Sequence, residues 1–514
     1  MVNRTNIFKQ TFLVFFITFF IKILGFIKQA ILASVYGANM ATDAFYISSS
    51  IINALCTIIF SAISITLLSK YTYKLVNESR KKANDLLNDS LKVFIPFSIL
   101  LTILFYIFAP TAAHFFAPSY SGEQLLLLIK NIKILSVLFI FWCFFLILNV
   151  VAESNKSFLP GKCYQLFQNI LIVIVAVIFP KEIGIQWLIY VFVLAGLLQC
   201  LFMLFSVRKS YKPNIFSNKF NKVEMKNLFI LILPLLTGNA IYELNDIVDK
   251  RIASGLGGGT VSILTYGASI NEIITTLIIS SITTVMFSHF STWVAEKNYH
   301  EIETNLKSTM EYIGVIIIPI SCFCLISGKQ IVSILFGRGS FGEAEVRLTY
   351  LVVIGYAIGF LFQAIRANLV KVYYAFGDTR LPMINGIVSV SFNICCSVFL
   401  SKFLGALGIS LATSFSVLLS SILLSVNIKK YLINFSFIKY KKEFIISFLS
   451  TLLSGFVLFY FKKIIVNNLI GFILEVCIYF GMYIFCMIFM NSNSINICVL
   501  KKLISKIQSK KEKI

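Results

Sequence analysis

Apolar runs long enough to cross a lipid bilayer recur along nearly the whole chain. Clear examples are 11–24, 93–108 and 134–151, and hydrophobic residues make up 58% of the 514 positions while charged residues make up only 13%. A helix needs about 20 apolar residues to span a bilayer, and only helices or closed barrels satisfy their backbone groups there. Because the runs are continuous rather than alternating, they predict an all-α polytopic membrane protein.

The loops between these runs carry an uneven charge. About fourteen spans are predicted, at 9–35, 40–68, 90–115, 122–152, 160–180, 184–207, 225–252, 259–290, 308–335, 346–374, 383–402, 406–428, 444–463 and 468–491. Lysine and arginine concentrate in the second, sixth and twelfth loops and in the C-terminal tail, whereas the loops at 36–41 and 116–122 contain neither. The positive-inside rule therefore predicts that both termini are cytoplasmic. The formal net charge of +23 is explained by topology, and no nucleic-acid binding is expected.

Two stretches of sequence recur further along the chain at the same spacing, which indicates an internal duplication. The matching residues lie 220 positions apart: Ala33, Ser34, Gly37, Thr42 and Tyr46 match Ala253, Ser254, Gly257, Ser262 and Tyr266, and Phe116, Gly122 and Glu123 match Phe336, Gly342 and Glu343. Internal repeats are a common plan for membrane transporters, with the substrate site between the copies. A copy of six spans returns the chain to its starting side, so this repeat is predicted to be parallel.

The duplication predicts how the chain is organised. Residues 1–208 form an N-lobe of spans 1–6, 209–225 a cytoplasmic basic linker, and 226–430 a C-lobe of spans 7–12. Spans 13–14 at 431–492 lie outside the duplication, and 493–514 form a basic cytoplasmic tail. We expect two parallel six-helix lobes facing each other in a V, with the two extra C-terminal helices packed outside.

Several charged residues fall inside the predicted spans. Lys22 has apolar sequence on both sides, Lys28 and Asp43 follow it, and Lys156 lies at a helix junction. In the second copy, Lys250 lies near a span end and Glu272 lies deep. A charge in the bilayer costs about 2.5–3.5 kcal/mol on insertion scales, so such residues usually face a bundle interior or a water-filled cavity. The first copy is cationic within its spans, which favours an anionic ligand such as a phosphate or diphosphate.

The cysteines and histidines do not indicate a metal site. Most of the eleven cysteines fall within predicted spans, where they are expected to be small packing residues, and the three histidines are scattered. We expect no metal and no cofactor, and we assign no catalytic residue.

Several tracts resemble the MviN/MurJ lipid II flippase family. They occur in family order between residue 21 and about residue 415: Ile21–Lys28 with Tyr36–Ala38 and Ala41–Phe45, Val248–Leu256, Leu335–Phe341, Tyr374–Pro382 and Leu404–Ser414. The resemblance implies two six-helix lobes plus two extra spans, within a superfamily of multidrug and polysaccharide exporters. It also implies a bacterial cytoplasmic-membrane protein that moves undecaprenyl-diphosphate-linked peptidoglycan precursor to the outer leaflet by alternating access.

The resemblance also implies roles for particular residues. Lys22 and Lys28 stand where the family has two functional arginines, and Asp43, Lys156 and Glu272 stand at further family positions. With Lys250, they are the predicted substrate-binding residues. The implied partners are the lipid-linked glycan, membrane lipids and proteins of cell-wall or polysaccharide assembly. The implied driving force is the membrane potential or an ion gradient.

The chain departs from the family pattern at several positions. Three family arginines are lysines here, another is Cys56, and an Asp-Arg pair is Ala268-Ser269. These departures keep a second function open, a flippase for another polyprenyl-diphosphate-linked oligosaccharide such as a capsule or exopolysaccharide unit. A drug or cation antiporter would require acidic rather than basic residues in the first lobe. A membrane enzyme would require paired carboxylates on a sizeable outer loop, and we therefore predict a transporter that is not an enzyme.

Overall fold

The computed structural model describes residues 4–179, 184–214, 220–432, 441–462, 464 and 468–490. Within these residues the chain forms seventeen α-helices and no strand. The helices are α1 (Arg4–Tyr36), α2 (Met40–Asn77), α3 (Arg80–Ile107), α4 (Ala109–Phe116), α5 (Gly122–Leu135), α6 (Leu138–Ser154), α7 (Leu159–Ile178), α8 (Gln186–Val207), α9 (Lys222–Ser254), α10 (Thr260–Ile273), α11 (Ser280–Ala295), α12 (Tyr299–Phe336), α13 (Glu343–Ala375), α14 (Arg380–Leu404), α15 (Ala406–Asn427), α16 (Lys441–Phe461) and α17 (Leu469–Phe489). The all-α prediction is confirmed.

Thirteen helical segments in the described part of the chain are long and apolar enough to cross a membrane. The predicted seventh span is the exception. Its helix α9 has 33 residues, a length of about 50 Å at 1.5 Å per residue, but charged side chains crowd its C-terminal half. They are Glu243, Asp246, Asp249, Lys250 and Arg251. The sequence therefore predicted the helix correctly. Its composition alone, however, is too polar for it to count as a membrane span.

Some predicted boundaries differ from those in the structure. The predicted span 122–152 consists of two helices, α5 and α6, and the predicted span 259–290 extends to Ala295 through a π-helical turn, Ile274–Ile279. The last residues of the predicted linker form the first turn of α9, because the side chain of Asn221 accepts a hydrogen bond from the Glu224 backbone N–H (3.1 Å) and starts the helix there. The predicted basic tail, 493–514, lies outside the described residues.

Contacts divide the chain into two compact units. Unit 1 comprises Met1–Ser269, Phe336–Thr349 and Val390–Ile409, and α2 packs in it against α5, α6 and α9. Buried hydroxyls of Ser48, Ser49 and Thr66 donate to carbonyl oxygens one turn earlier on α2, which lets polar side chains occupy an apolar core.

The described part of the predicted linker is anchored in unit 1. The side-chain oxygen of Asn88 accepts hydrogen bonds from the Tyr211 hydroxyl (2.7 Å) and the Asn214 backbone N–H (3.0 Å). Asp89 accepts from the Asn221 N–H (3.0 Å). Both acceptors are buried on α3, so the chain between α8 and α9 is bonded to the N-terminal repeat.

Unit 2 comprises Ile270–Leu335, Tyr350–Ser389 and Ser410–Ile514. One core cluster is built from helices α11 to α15 and includes Phe290, Leu306, Leu369, Tyr373 and Leu424. In a second cluster, α16 and α17 pack on α12 through Leu458, Tyr479 and Phe323.

The contact between α17 and α12 has a polar component. The Glu475 carboxylate, fully buried on α17, accepts a hydrogen bond from the Ser327 hydroxyl at 2.6 Å. Its Oε2 also lies 4.0 Å from the Lys462 ammonium, and Lys462 donates to the Ile326 carbonyl oxygen at 2.8 Å. The two helices that lie outside the predicted duplication are thus held to α12 by a buried charge and by apolar packing.

Candidate functional site

Asp43 lies in the first turn of α2 and is fully buried. Its carboxylate accepts hydrogen bonds from the backbone N–H groups of Gly259 (2.7 Å) and Ser262 (2.8 Å) and from the Ser262 hydroxyl (2.6 Å). These N–H groups flank the start of α10, where unpaired donors and the helix dipole favour a negative charge. In this conformation Asp43 therefore acts as an N-terminal cap for a helix of the second predicted repeat.

The two repeated stretches meet in this region, and they meet at equivalent residues. The hydroxyls of Thr42 and Ser262, which are 220 positions apart, are 2.8 Å from each other. The rings of Tyr46 and Tyr266 have the same offset and pack edge to face, with centroids 5.7 Å apart. Residues near a two-fold axis contact their own equivalents, as in a symmetric dimer interface. This pattern is expected of two copies related by rotation.

A second pair of contacts shows the same reciprocity. The Ser340 backbone N–H donates to the Ser34 carbonyl oxygen at 2.7 Å, and the Ser119 hydroxyl donates to the Ser254 carbonyl oxygen at 2.7 Å. Ser254 is the repeat equivalent of Ser34, and Ser340 lies within one residue of the equivalent of Ser119. Each repeat thus places the end of its first helix against a later loop of the other repeat.

Lys250 takes part in a polar cluster between α9 and α2. Its ammonium lies 2.7 Å from the Asp246 carboxylate one turn earlier and contacts the Ser50 hydroxyl oxygen. Ser50 in turn donates to Asp246 at 2.9 Å. We call Ser50, Asp246 and Lys250 the α2–α9 triad. It combines a cation with a carboxylate between two long helices, in the last three turns of α9 and the third turn of α2.

Asp249 lies next to Lys250 in sequence but has different partners. It is buried, and it accepts hydrogen bonds from the Ser397 hydroxyl (3.0 Å) and from the Asn245 amide (3.3 Å). Asp249 therefore connects α9 to α14, while the α2–α9 triad connects α9 to α2.

Lys22 and Lys28 lie on α1, which remains a continuous helix through Gly25, and both side chains are partly exposed. The Asn169 amide donates to the Ile21 carbonyl oxygen at 3.3 Å. A Cβ on Gly25 would come within 3.3 Å of the same amide nitrogen. Gly25 therefore allows close approach of α7 to α1 beside the two lysines.

Lys156 and Glu272 are both exposed. Lys156 is in the turn between α6 and α7 with a φ of 60°, and its neighbour Asn155 accepts from Arg80 at 3.4 Å, beyond the last turn of α2. Asp43 is at the other end of that 38-residue helix, about 50 Å away at 1.5 Å per residue, so Lys156 does not lie beside Asp43. Glu272 belongs to unit 2 and is the penultimate residue of α10, two positions before the π-helical turn begins.

The family-like tract after α13 forms a helix cap. Asp378 accepts hydrogen bonds from the N–H groups of Arg380 (2.9 Å) and Leu381 (3.1 Å) and from the Tyr431 hydroxyl (2.8 Å). Desolvation raises the pKa of Asp378, but these bonds and the nearby Lys430 charge outweigh it and hold the pKa below its ordinary value. The tract starts α14 and ties its loop to Tyr431, just after the 3₁₀ turn that follows α15.

The partners of these charges were not predicted from the sequence. Lys250 and Asp43 were identified, but Lys250 was not paired with Asp246 or Ser50, nor Asp43 with Ser262. The spacing of Asp246 and Lys250, four residues apart on one helix, was a signal that could have indicated the first pair. The match of Thr42 to Ser262 in the repeat could have indicated the second. Among the described residues, no group of His, Cys, Asp and Glu is arranged to hold a metal ion.

These features define a polytopic α-helical membrane transporter with buried charges inside its helices and equivalent contacts between two repeats. A model of the family described as lipid II flippase MurJ matches residues 32–480. The chain belongs to this family. This match confirms three predictions: the family, a transporter that is not an enzyme, and a multi-pass protein in the bacterial inner membrane.

Relatives agree with this assignment, and solved structures share the fold. Probable lipid II flippases MurJ of Treponema pallidum (strain Nichols) and Thermotoga maritima are 22% and 26% identical to this chain, covering 84% and 80% of it and 83% of each relative. A solved structure of lipid II flippase MurJ in an inward closed conformation has a TM-score of 0.79 at 24% identity, covering 93% of this chain and 98% of that one. An inward-facing multidrug transporter of the MATE family has a TM-score of 0.66 at 12% identity, covering 80% and 94%.

Proposed function

We propose that this protein flips lipid II, the undecaprenyl-diphosphate-linked peptidoglycan precursor, from the inner to the outer leaflet. The observation that carries the proposal is the family match, which extends from residue 32 to residue 480 and so covers most of both predicted repeats. The relatives named above have the same function in their names. The protein supplies a largely buried cation for an anionic lipid, since the Lys250 side chain, one turn before the end of α9, is 14% exposed and contacts Ser50 of α2.

Alternating access is the mechanism that we propose for this transport. The contacts around Asp43 close one end of α2 against the second repeat, and the loops at this end, 37–41, 117–121 and 255–259, contain no lysine or arginine. The positive-inside rule places such loops outside the cell. Opening this end would release the diphosphate head outward while the lipid tail stays in the bilayer.

We also propose the topology, the driving force and the partners of the transporter. Both termini are cytoplasmic, and the two repeats form two parallel lobes, which the reciprocal contacts of Thr42 with Ser262 and of Tyr46 with Tyr266 support. The membrane potential or an ion gradient drives the cycle. Proteins of cell-wall assembly are the partners.

The test is complementation of a strain depleted of its own lipid II flippase. We expect this chain to restore growth and to make lipid II accessible to an extracellular probe. Failure of rescue at normal membrane levels, together with rescue of a strain that lacks a flippase for a capsule or exopolysaccharide unit, would favour the second candidate. The observation that favours this candidate is the presence of Cys56 and Ala268-Ser269 at positions where the family pattern carries charge.

A further inference from the structure

We infer that the α2–α9 triad holds Lys250 as a masked cation. Its ammonium stays paired with the Asp246 carboxylate until a diphosphate displaces that carboxylate. Asp246 and Ser50 would thereby determine which anions bind and how readily they leave. The inference rests on the proposed function, since it concerns how the same transporter binds and releases its substrate head group.

Two carboxylates lie close to Lys250 in sequence, Asp246 and Asp249, and the ammonium pairs with the first. Lys250 is flanked by Asp249, yet Asp249 accepts hydrogen bonds from Ser397 and Asn245. The ammonium instead pairs with Asp246 at 2.7 Å. An acidic residue four positions before a lysine is the favourable order on a helix. The cation thus has one carboxylate partner in the triad.

The two charges of the triad differ in burial. The Lys250 side chain is 14% exposed, whereas the Asp246 side chain is 55% exposed. The Ser50 hydroxyl contacts the ammonium from α2, so the cation is fixed between two helices. The carboxylate, in contrast, has open space on one side. It is the partner that can rotate away, and a charged side chain between two helices of a membrane protein is expected to face a wet cavity rather than lipid.

The chemistry of a diphosphate suits it to displace Asp246. A carboxylate bears one negative charge, whereas a diphosphate ester bears more negative charge and presents more acceptor oxygens within one group. Charge-assisted hydrogen bonds from an ammonium to phosphate oxygens are strong. A diphosphate can therefore replace Asp246, whereas a singly charged carboxylate ligand gains nothing by doing so. When the substrate leaves, Asp246 returns, and the ammonium avoids the large cost of a buried unpaired charge.

The test measures binding of farnesyl diphosphate and of inorganic pyrophosphate to the full chain in lipid nanodiscs by titration calorimetry. Asp246→Asn removes the competing charge and keeps the shape of the side chain. We expect it to bind farnesyl diphosphate about fivefold more tightly, because a partly exposed ion pair is worth up to about 1 kcal/mol. Outward flipping of lipid-linked glycan by this variant should be slower, because no carboxylate remains at position 246 to pair with Lys250 when the diphosphate leaves.

Matched variants separate masking from general damage. Glu224→Gln removes an acid from the Lys74–Glu224 pair (2.8 Å), which also joins α2 and α9, and it should leave binding unchanged. Ser50→Ala loosens Asp246 and should tighten binding less than Asp246→Asn does. The double change Asp246→Asn with Lys250→Met should abolish the gain, because no cation is left to unmask.

Unchanged or weaker binding of farnesyl diphosphate by Asp246→Asn, with Glu224→Gln normal, would overturn the inference. Equal tightening in Asp246→Asn and in the Asp246→Asn, Lys250→Met double variant would overturn it too. Inorganic pyrophosphate separates recognition of the head group from that of the lipid: tightening for both probes supports the masked cation, and tightening for farnesyl diphosphate alone contradicts it. The calorimetry does not depend on complementation, so a failed rescue with tightened binding would contradict the lipid II proposal alone.

Discussion

At the scale of single residues, the buried charges have specific partners. Asp43 receives three hydrogen bonds from the beginning of α10, and Lys250 is balanced by Asp246 and Ser50. The cost of placing these charges among apolar helices is offset by fixed donors and counter-charges. Each charge therefore determines which helices lie against each other.

Replacing Asp43 by asparagine should destabilise the protein. Asparagine keeps one acceptor oxygen but loses the charge that complements the N-terminus of α10, so we expect a loss of about 1–2 kcal/mol. The measurement is the thermal unfolding midpoint in detergent. Glu123→Gln is the control, since Glu123 is an exposed acid in the first turn of α5 and should change the midpoint little. Equal effects of the two substitutions would contradict the capping role.

Replacing Lys22 tests whether the charge on α1 serves transport. We expect Lys22→Ala and Lys28→Ala each to abolish outward flipping while the protein still inserts. Lys22→Arg should be tolerated because it keeps the charge. The measurement is the external accessibility of lipid-linked glycan in cells with matched membrane levels of each variant. Normal flipping by the double alanine variant would show that these lysines serve topology rather than anion binding.

At the scale of helices and turns, short connections set the close contacts between the repeats. Gly259, just before α10, has a φ of +87°, and a Cβ there would lie 2.6 Å from the Ala38 carbonyl oxygen. Gly257 has a φ of +126°, but a Cβ added to it would meet no atom within 4 Å. The loop between α9 and α10 thus combines a conformation that favours glycine with close approach to the first repeat.

Gly259→Ala should destabilise the protein more than Gly257→Ala. Both variants force an L-residue into the left-handed region, but only the first also drives a methyl group into a backbone oxygen. Gly481→Ala, in the helix α17 with nothing within 4 Å, should be neutral or stabilising by up to about 1 kcal/mol. Unfolding midpoints of the three variants test this order, and an equal loss for Gly257→Ala and Gly259→Ala would show that the close contact is unimportant.

At the scale of the whole molecule, the alternation of basic and neutral loops determines orientation. Ser121 and Ser157 are exposed residues in a neutral loop and in a lysine-containing turn. With the native cysteines replaced, we expect Ser121→Cys in intact cells to react with a membrane-impermeant maleimide. Ser157→Cys should react only after the membrane is opened. The reverse labelling pattern would invert the proposed topology.

Much of the architecture followed from local sequence. Continuous apolar runs predicted the helices because a bilayer leaves a chain no other way to satisfy its backbone groups, and the family motifs predicted the transporter class. The helix boundaries were less accurate where a polar side chain acts as a cap, as at Asn221, or where a helix continues through a π-helical turn, as at 274–279.

The sequence by itself determined that the chain is a bundle of membrane helices with a 220-residue repeat and charged residues in its interior. Only the tertiary structure decided that Asp43 caps α10, that Thr42 meets Ser262, and that Lys250 faces Asp246 and Ser50 rather than Asp249. Apolar periodicity and composition depend on the chain's own neighbours and can be read locally. The partner of a buried charge depends on residues up to 219 positions away, which only the packing of the helices brings within hydrogen-bond distance.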